Sequence, residues 1–229
     1  MKLGAIIAAA GSGLRMKNST RKQYLLLEEL PVLIRSVRLF LSHPALDQLV
    51  VVVPPADLEE AGTLLQQYCS LERLELVGGG ETRQESVHKG LQALPRDCDI
   101  ICVHDAARPL ATGALLERLV TAALEYGAVV PVIGLSDTLK VVGEDEMIVD
   151  TPPRGNLRLV QTPQVFRADL IRQAYAEAAI SGAQATDDAS LVELLGKPVK
   201  TVEGEAANLK ITSPPDLVLA SWYLKGASI

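Results

Sequence analysis

The sequence predicts a three-layer α/β sandwich in which a mainly parallel sheet is covered by helices on both faces. Short apolar, β-rich runs alternate with stretches of helical periodicity through the first 135 residues. Several of these runs are apolar along nearly their whole length, as is typical of strands that are buried on both faces. Such an alternation favours parallel strands joined by helices that pack on the sheet.

The predicted elements follow one another in a regular order. The strands are expected at residues 3–9, 49–54, 74–77, 99–105, 128–133 and 199–202. The helices, which carry apolar residues at helical spacing, are expected at residues 31–43, 56–69, 81–94, 112–126, 168–180, 186–196 and 215–225. No repeat, low-complexity tract or linker interrupts this order, so residues 1–229 are expected to form one Rossmann-like domain.

Residues 136–160, SDTLKVVGEDEMIVDTPPRGNLRLV, break the alternation. Two short β-like pieces, VV and MIV, flank GEDE, where glycine and acidic residues indicate the turn of a hairpin. The segment is therefore expected to form a β-arm that protrudes from the domain.

The charge balance limits the kinds of partner. Of the 229 residues, 22 are Lys or Arg and 28 are Asp or Glu, which gives a net charge of −6. Nucleic acid and anionic membranes need a broad basic face, so neither is expected as a partner. The N-terminal apolar run is far short of the ~20 residues of a membrane span. Cys69, Cys98 and Cys102 cannot form a paired disulfide framework, which favours a reduced, cytoplasmic protein.

The first strand runs into AAAGSGLRM, a glycine turn that leads into four cations within residues 15–22. The turn lacks the third glycine of a dinucleotide fingerprint, the Gly-Lys-Ser/Thr of a P-loop and the GxSxG of a hydrolase elbow. Its backbone amides could approach an anion, with Arg15 and Lys22 neutralising the charge. A surface loop with incidental cations is the alternative.

Two further motifs are expected at the same edge of the sheet. HDAARP, at residues 104–109, ends the fourth predicted strand, and ligands of parallel α/β sheets bind outside the carboxyl ends of strands. Asp105 suits Mg²⁺ shared with phosphate oxygens, or it caps the following turn. VGGGETRQES, at residues 77–86, could offer open backbone amides to the edge of a base or to a phosphate. The alternative is that its residues only form a turn.

The histidines give no sign of acid–base or metal chemistry. His43, His88 and His104 fall on different elements without metal-ligand spacing, so structural roles are expected. Cations, glycine amides and one carboxylate without a convincing general base favour phosphate chemistry, in which positioning and charge stabilisation dominate.

Eight motifs follow one another between residues 5 and 216: AAAGSGLRM, RKQY, GGGETRQES, HDAARP, DTLK, RxxLxxxQTPQ, TDDAS and NLKIT. In this order they resemble the 2-C-methyl-D-erythritol 4-phosphate cytidylyltransferase family. The resemblance implies transfer of CMP from CTP to methylerythritol phosphate, with release of pyrophosphate, in non-mevalonate isoprenoid synthesis. It also implies a Mg²⁺ requirement and a homodimer joined through the arm.

The resemblance further implies roles for individual residues. The implied catalytic residues are Arg15 and Lys22, which would stabilise the transition state at the α-phosphate, together with Arg154 and Lys210. The nucleotide would bind to Ala9, Ala10, Gly11, Ser12, Gly13, Gly80, Glu81 and Ser86. The acceptor would bind to Asp105, Arg108, Thr138, Arg154, Thr162 and Thr186, with Asp105 also near the metal. Of these, Thr138 and Arg154 would reach from the arm into the partner subunit.

The sequence departs from the family pattern at a few positions. Glu81 stands where the family more often has Asp, and Pro153-Arg154 and Arg158 stand where it commonly has an Asp-Arg pair and a tryptophan. A ribitol 5-phosphate cytidylyltransferase, or a related sugar-phosphate nucleotidyltransferase, is the nearest alternative and would differ in the arm and the acceptor pocket. A non-catalytic nucleotide-binding protein of the same fold would not need Arg15, Lys22 and Asp105.

Overall fold

The structure is a computed structural model that describes residues 1–11 and 21–226. Its strands are β1 (Leu3–Ala8), β2 (Leu26–Leu27), β3 (Leu30–Pro31), β4 (Leu46–Val53), β5 (Leu74–Gly78), β6 (Ile100–Asp105), β7 (Ala128–Ile133), β8 (Val141–Val142), β9 (Ile148–Asp150), β10 (Leu159–Val160), β11 (Gln164–Arg167) and β12 (Lys200–Glu203). Its helices are α1 (Val32–Leu41), α2 (Leu58–Tyr68), α3 (Arg83–Ala93), α4 (Gly113–Tyr126), α5 (Ala168–Ser181), α6 (Asp188–Leu194) and α7 (Pro214–Leu224).

The central sheet is mainly parallel, as the sequence predicts. Its strand order is β10-β7-β11-β6-β1-β4-β5, and β12 also pairs with β7. β1 is parallel to β4 and β6, β4 is parallel to β5, and β7 is parallel to β12. β10 and β11 run antiparallel to β7, and β11 also runs antiparallel to β6. The two antiparallel strands were not predicted, since they are short and β11 has only Val165 and Phe166 as apolar residues.

Helices cover both faces of the sheet because side chains alternate along each strand. One core lies between the sheet and α1, α2 and α4, and it includes Ile7 and Val51. The opposite core lies between the sheet and α3, α5 and α6, and it includes Ile6 and Val52. These two cores confirm the predicted three-layer sandwich.

A short hairpin and the last helix form a separate small cluster. β2 and β3 pair around Glu28, whose φ of 55° lies in the left-handed region. Leu27 and Val32 pack there with Ile211 and with Ala220 of α7. The sequence did not predict this hairpin, because its turn lacks the glycine or asparagine that usually accepts a positive φ.

The predicted hairpin within residues 136–160 is present. β8 and β9 pair antiparallel in a two-stranded sheet of their own. The chain rejoins the central sheet at Leu159, which pairs with Ile133, so the excursion ends slightly before the expected residue 160. Among the described residues, no helix has both the length and the apolar character that crossing a membrane requires.

Candidate active site

The parallel strands bring four chain segments to one edge of the sheet. β1, β4, β5 and β6 run in the same direction, so Ala8, Val53, Gly78 and Asp105 all lie at this edge. A cavity of about 300 Å³ opens there. It is lined by Ala8, Ala9, Ala10, Gly11, Lys22, Gln23, Glu81, Thr82, Arg83, Ser86, Asp105, Ala106, Ala107 and Lys210. The three motifs that the sequence placed at this edge therefore meet around one cavity.

The first loop is anchored on both sides of its glycine turn. The Ala9 amide donates to the carbonyl of Val52 at 2.8 Å, and the Ala9 carbonyl accepts from Nε2 of buried Gln23 at 2.9 Å. The Nζ of Lys22 donates to the carbonyl oxygen of Ile211 at 3.1 Å, and Ile211 directly follows Lys210 in the chain. Arg15, Ser12 and Gly13, which the sequence assigned to this loop, lie outside the described residues.

The second loop, residues 79–82, approaches the first closely because it is built on glycine. A Cβ on Gly79 would lie 2.7 Å from the Cβ of Ala10. The Gly80 amide donates to Oγ of Ser86 at 3.1 Å, and the Glu81 amide donates to Oε2 of Glu85 at 2.8 Å. The expectation of open amides was therefore wrong for these two residues, whose N–H groups bind side chains of α3. Their carbonyl oxygens accept no hydrogen bond from the described residues.

Asp105 lies between two cations. Its Oδ1 accepts from Nε of Arg83 at 3.0 Å, and its Oδ2 accepts from Nζ of Lys210 at 2.6 Å. Burial opposes ionisation of this carboxyl, but Arg83 and Lys210 together hold its pKa well below the usual range. Asp105 is therefore an ionised carboxylate, and its side chain binds Arg83 and Lys210 instead of capping the turn that follows β6.

His104 is a structural residue, as the sequence predicts. It is fully buried, and burial lowers its pKa to about 4, so the ring is neutral near pH 7. Nε2 donates to the Arg108 carbonyl and Nδ1 accepts from the Thr162 hydroxyl, both at 3.0 Å. The Thr162 hydroxyl in turn accepts from the Asp105 amide at 3.0 Å. Both ring nitrogens are thus used in fixing the loop after β6.

A second cavity, of about 160 Å³, adjoins the first. It is lined by Arg83, Asp105, Arg108, Val160, Gln161, Thr162, Gln164, Thr186, Asp187 and Lys210. The predicted acceptor residues of the main domain, which are Asp105, Arg108, Thr162 and Thr186, all line it. Arg83, Asp105 and Lys210 belong to both cavities and form the boundary between them.

Thr138 and Arg154 lie away from these cavities. Thr138 is exposed, and Arg154 donates through Nη1 to the carbonyl of Ser136 at the base of the hairpin. Arg154 lines a different cavity, which it shares with Gly134 and Thr201. Within one chain, therefore, the fold does not bring Arg154 to Asp105.

The donor set for a metal is small. In the part of the chain that the structure describes, no three His, Cys, Asp or Glu side chains group together as a metal site. Asp105 is the only predicted metal ligand, and each of its oxygens retains acceptor capacity beside its ion pair. Such a site fits Mg²⁺ only if most ligands come from substrate phosphates and water.

Sequence reasoning missed three residues behind Asp105. Arg83 stands within GGGETRQES, but nothing in that motif distinguishes its arginine from an exposed helix residue. Asp188 and Tyr175, which bind one another, lie on α6 and α5 far along the chain, and Asp188 also binds Arg83. Only the folded structure brings them together.

Glycine-containing loops and basic side chains surround a cavity at the carboxyl edge of a parallel sheet. This arrangement is typical of α/β proteins that bind phosphorylated nucleotides. The family model of 2-C-methyl-D-erythritol 4-phosphate cytidylyltransferase (IspD) matches residues 3–226. The chain belongs to this family.

Curated relatives and solved structures agree with this assignment. The 2-C-methyl-D-erythritol 4-phosphate cytidylyltransferase of Pelotomaculum thermopropionicum is 43% identical over 225 residues, which are 98% of this chain and 94% of the relative. That of Caldanaerobacter subterraneus subsp. tengcongensis is 40% identical over 226 residues, 98% and 100% of the two chains. The crystal structure of the Thermus thermophilus protein of that name superposes with a TM-score of 0.80 at 36% identity, covering 98% of this chain and 100% of that one.

Proposed function

We propose that this protein transfers CMP from CTP to 2-C-methyl-D-erythritol 4-phosphate. An oxygen of the acceptor phosphate attacks the α-phosphorus of CTP, and the bond to the β-phosphate breaks. The products are 4-diphosphocytidyl-2-C-methyl-D-erythritol and pyrophosphate. This is the cytidylyltransferase step of non-mevalonate isoprenoid synthesis.

The observation that carries the proposal is the pair of adjoining cavities. One is lined by the glycine loops and the other by the predicted acceptor residues, and they meet at Arg83, Asp105 and Lys210. A reaction that joins two phosphorylated molecules needs two neighbouring sites with cations at their boundary. With one substrate in each cavity, the acceptor phosphate would approach the nucleotide phosphates at this boundary.

The loop at residues 79–82 supports cytosine as the base. The N–H groups of Gly80 and Glu81 are bound to Ser86 and Glu85, so the backbone groups that these two residues have left to offer are their carbonyl oxygens. Such acceptors suit the exocyclic amino group of cytosine, whereas uracil has a carbonyl oxygen at the same position and could not donate to them.

The chemistry does not need a general base. A phosphate monoester is already ionised near pH 7, so the main obstacle is repulsion between the acceptor phosphate and the triphosphate. Lys22 and Lys210 enter the site from two different segments, and Lys22 contacts the carbonyl next to Lys210. With Arg15 they supply the positive charge that the pentacovalent transition state requires.

The proposal includes Mg²⁺ as the cofactor. Asp105 would contribute one carboxylate oxygen, and the phosphates and water would complete the coordination shell. When bound, the ion neutralises phosphate charge. Asp105→Asn is expected to lower turnover at least tenfold and to raise the Mg²⁺ concentration that gives half-maximal rate. Asp99 is an exposed carboxylate directly before the start of β6, whereas Asp105 ends this strand. Asp99→Asn is therefore the control for the loss of one negative charge.

We also propose that the protein is a homodimer in which the hairpin arm crosses to the partner. Apolar side chains of the hairpin are exposed, which is unusual for a surface that contacts only water: Val142, Met147, Ile148 and Val149 are each more than half exposed. A cytoplasmic location is consistent with three unpaired cysteines.

A pyrophosphate-release assay tests the proposed function. The purified protein is combined with CTP, UTP, ATP or GTP and with methylerythritol phosphate or ribitol 5-phosphate, with and without Mg²⁺. CTP with methylerythritol phosphate and Mg²⁺ is expected to give the highest kcat/KM. A higher kcat/KM for ribitol 5-phosphate would overturn the proposed acceptor, and no release with any pair would overturn the activity.

A further inference from the structure

A line of alternating charges continues behind Asp105 into the protein. Asp188, at the start of α6, is fully buried, and its Oδ2 accepts from Nη2 of Arg83 at 2.7 Å. Its Oδ1 accepts from the hydroxyl of Tyr175, on α5, at 2.6 Å. Arg83 then contacts Asp105, and Asp105 contacts Lys210. Five side chains from five segments are thus bonded in a single row.

Only the front of this row can touch a substrate. Arg83, Asp105 and Lys210 line both cavities, whereas Asp188 and Tyr175 line neither. Asp188 and the ring of Tyr175 pack within the core beneath α5 and α6. Of the two side chains that Asp188 binds, Arg83 lines the cavities and Tyr175 does not, so an effect of Asp188 or Tyr175 on the reaction is expected to act through Arg83.

The guanidinium of Arg83 is divided between two carboxylates. Its Nε donates to Oδ1 of Asp105, and its Nη2 donates to Oδ2 of Asp188. An arginine facing a single carboxylate prefers the bidentate geometry, in which both oxygens accept from the same guanidinium. That geometry would bring a second N–H of Arg83 to Oδ2 of Asp105, where the guanidinium charge would repel the ammonium of Lys210, which here binds that oxygen at 2.6 Å.

We propose that Asp188, itself held by Tyr175, is a positioning residue that keeps Arg83 from taking both oxygens of Asp105. Lys210 then stays at the boundary of the two cavities, where both phosphates need positive charge. A buried carboxylate without a cation or hydrogen-bond donor is costly in free energy. The full burial of Asp188 is therefore consistent with a permanent ion pair to Arg83. The kinetic part of this inference rests on the proposed cytidylyltransferase function.

The variant Asp188→Asn tests the inference. The amide is nearly isosteric and can still accept from Tyr175, but it no longer holds the guanidinium by charge. We expect kcat to fall about tenfold, while the Kd of CTP measured by calorimetry changes less than about threefold. Asp188→Glu, which keeps the charge, is expected to recover part of the loss. Asp169→Asn, on the exposed first turn of α5, is the matched control and should behave as wild type.

A double-mutant cycle separates positioning from a general effect on folding. If Asp188 acts through Arg83, Asp188→Asn should cause no further loss of kcat in an Arg83→Ala background. Equal losses of kcat in both backgrounds would overturn the inference, and so would an unchanged kcat in the single variant.

Tyr175→Phe keeps the ring and removes only the hydroxyl, and a fall in kcat of about threefold is expected. It serves as the test if Asp188→Asn does not fold, and an unchanged kcat for it would then overturn the inference.

A crystal structure of Asp188→Asn gives a result that does not depend on the substrate assignment. It should show Arg83 bidentate on Asp105 and Lys210 moved away from Oδ2. Arg83 in its present position would overturn the inference even if the protein were active on methylerythritol phosphate. Conversely, a wild-type protein inactive in the pyrophosphate assay, with the expected shift of Arg83 in the variant, would overturn the proposed function alone.

Discussion

At the scale of single residues, we expect Lys22 to contribute a positive charge that the proposed reaction needs most in its transition state. Its ammonium lies beside the Ile211 carbonyl at the wall of the cavity that Glu81 and Ser86 also line. Attack on the α-phosphate adds negative charge there, so the contribution of Lys22 should exceed its contribution to binding CTP. Lys22→Ala is expected to lower kcat by roughly 10²–10³-fold and to change the KM for CTP much less.

Steady-state kinetics checks this expectation. Arg15→Ala should behave in the same way, and Lys17→Ala, which removes a cation two residues further along the sequence with no assigned role, is the control. A raised KM for CTP with an unchanged kcat would mean that Lys22 only binds the nucleotide.

His104 gives the folded protein a dependence on pH. Burial lowers its pKa to about 4, compared with 6.5 in an unfolded chain. Between these two pH values, His104 is protonated in the unfolded chain but not in the folded protein. The free energy of unfolding therefore falls as the pH falls. The slope from this residue is at most about 1.4 kcal/mol per pH unit. Urea unfolding of wild type and His104→Gln across this window should show a shallower dependence in the variant. Parallel curves would contradict the assignment.

At the scale of elements, α3 lies close to the sheet because residue 90 is glycine. A Cβ there would lie 2.7 Å from Cγ2 of Ile6 and 3.1 Å from Cγ2 of Val52, both of which are fully buried. Gly90→Ala should therefore lower the free energy of unfolding by about 1–2 kcal/mol, although alanine is the better helix former. Gly113→Ala is the matched control, because a Cβ at this exposed position of α4 meets no atom within 4 Å. Chemical denaturation measures both, and an equal or higher stability for Gly90→Ala would contradict the packing argument.

The elements that the sequence predicted are those whose pattern is local. β1, β4, β5 and β6 consist mainly of apolar residues, and their helices carry regular apolar spacing, so their existence followed from composition along the chain. β11 was missed because two of its four residues, Gln164 and Arg167, are polar and because its pairing with β6 is distant in sequence. The hairpin of β2 and β3 was missed because Glu28 adopts a positive φ without any residue that signals it.

The candidate site shows the same division. Lys22, Asp105, Thr162 and Lys210 stand in motifs and meet at one edge of the sheet, as the sequence suggested. Arg83 was not singled out, since its significance comes from Asp188, which is 105 residues away along the chain. The open amides expected at residues 80 and 81 were wrong because side chains of the following helix turn back to bind them. The contact between Arg83 and Asp188 depends on tertiary structure, whereas those at residues 80 and 81 are local and come from Glu85 and Ser86 in the first turn of α3.

At the scale of the whole molecule, the proposed crossing of the hairpin arm would make each active site depend on two chains. Arg154 lies with Gly134 and Thr201, whereas the two cavities around Asp105 are lined by other residues. If Arg154 binds the acceptor, it must therefore come from a second copy of the chain. The exposed apolar side chains of β8 and β9 provide a surface through which the two copies can associate.

Mixing two inactive variants tests this arrangement. Lys22→Ala lacks a residue of its own site, and Arg154→Ala lacks one that serves the partner's site. In a mixed dimer one site carries both lesions and the other carries neither. After random exchange half of the dimers are mixed, so about a quarter of wild-type activity is expected to return. The matched control mixes Lys22→Ala with Lys210→Ala, which both act within their own chain, so every site keeps one lesion and no activity should return. No recovery with Arg154→Ala, after exchange has been confirmed by mass spectrometry of tagged subunits, would place Arg154 in its own subunit's site or outside any site.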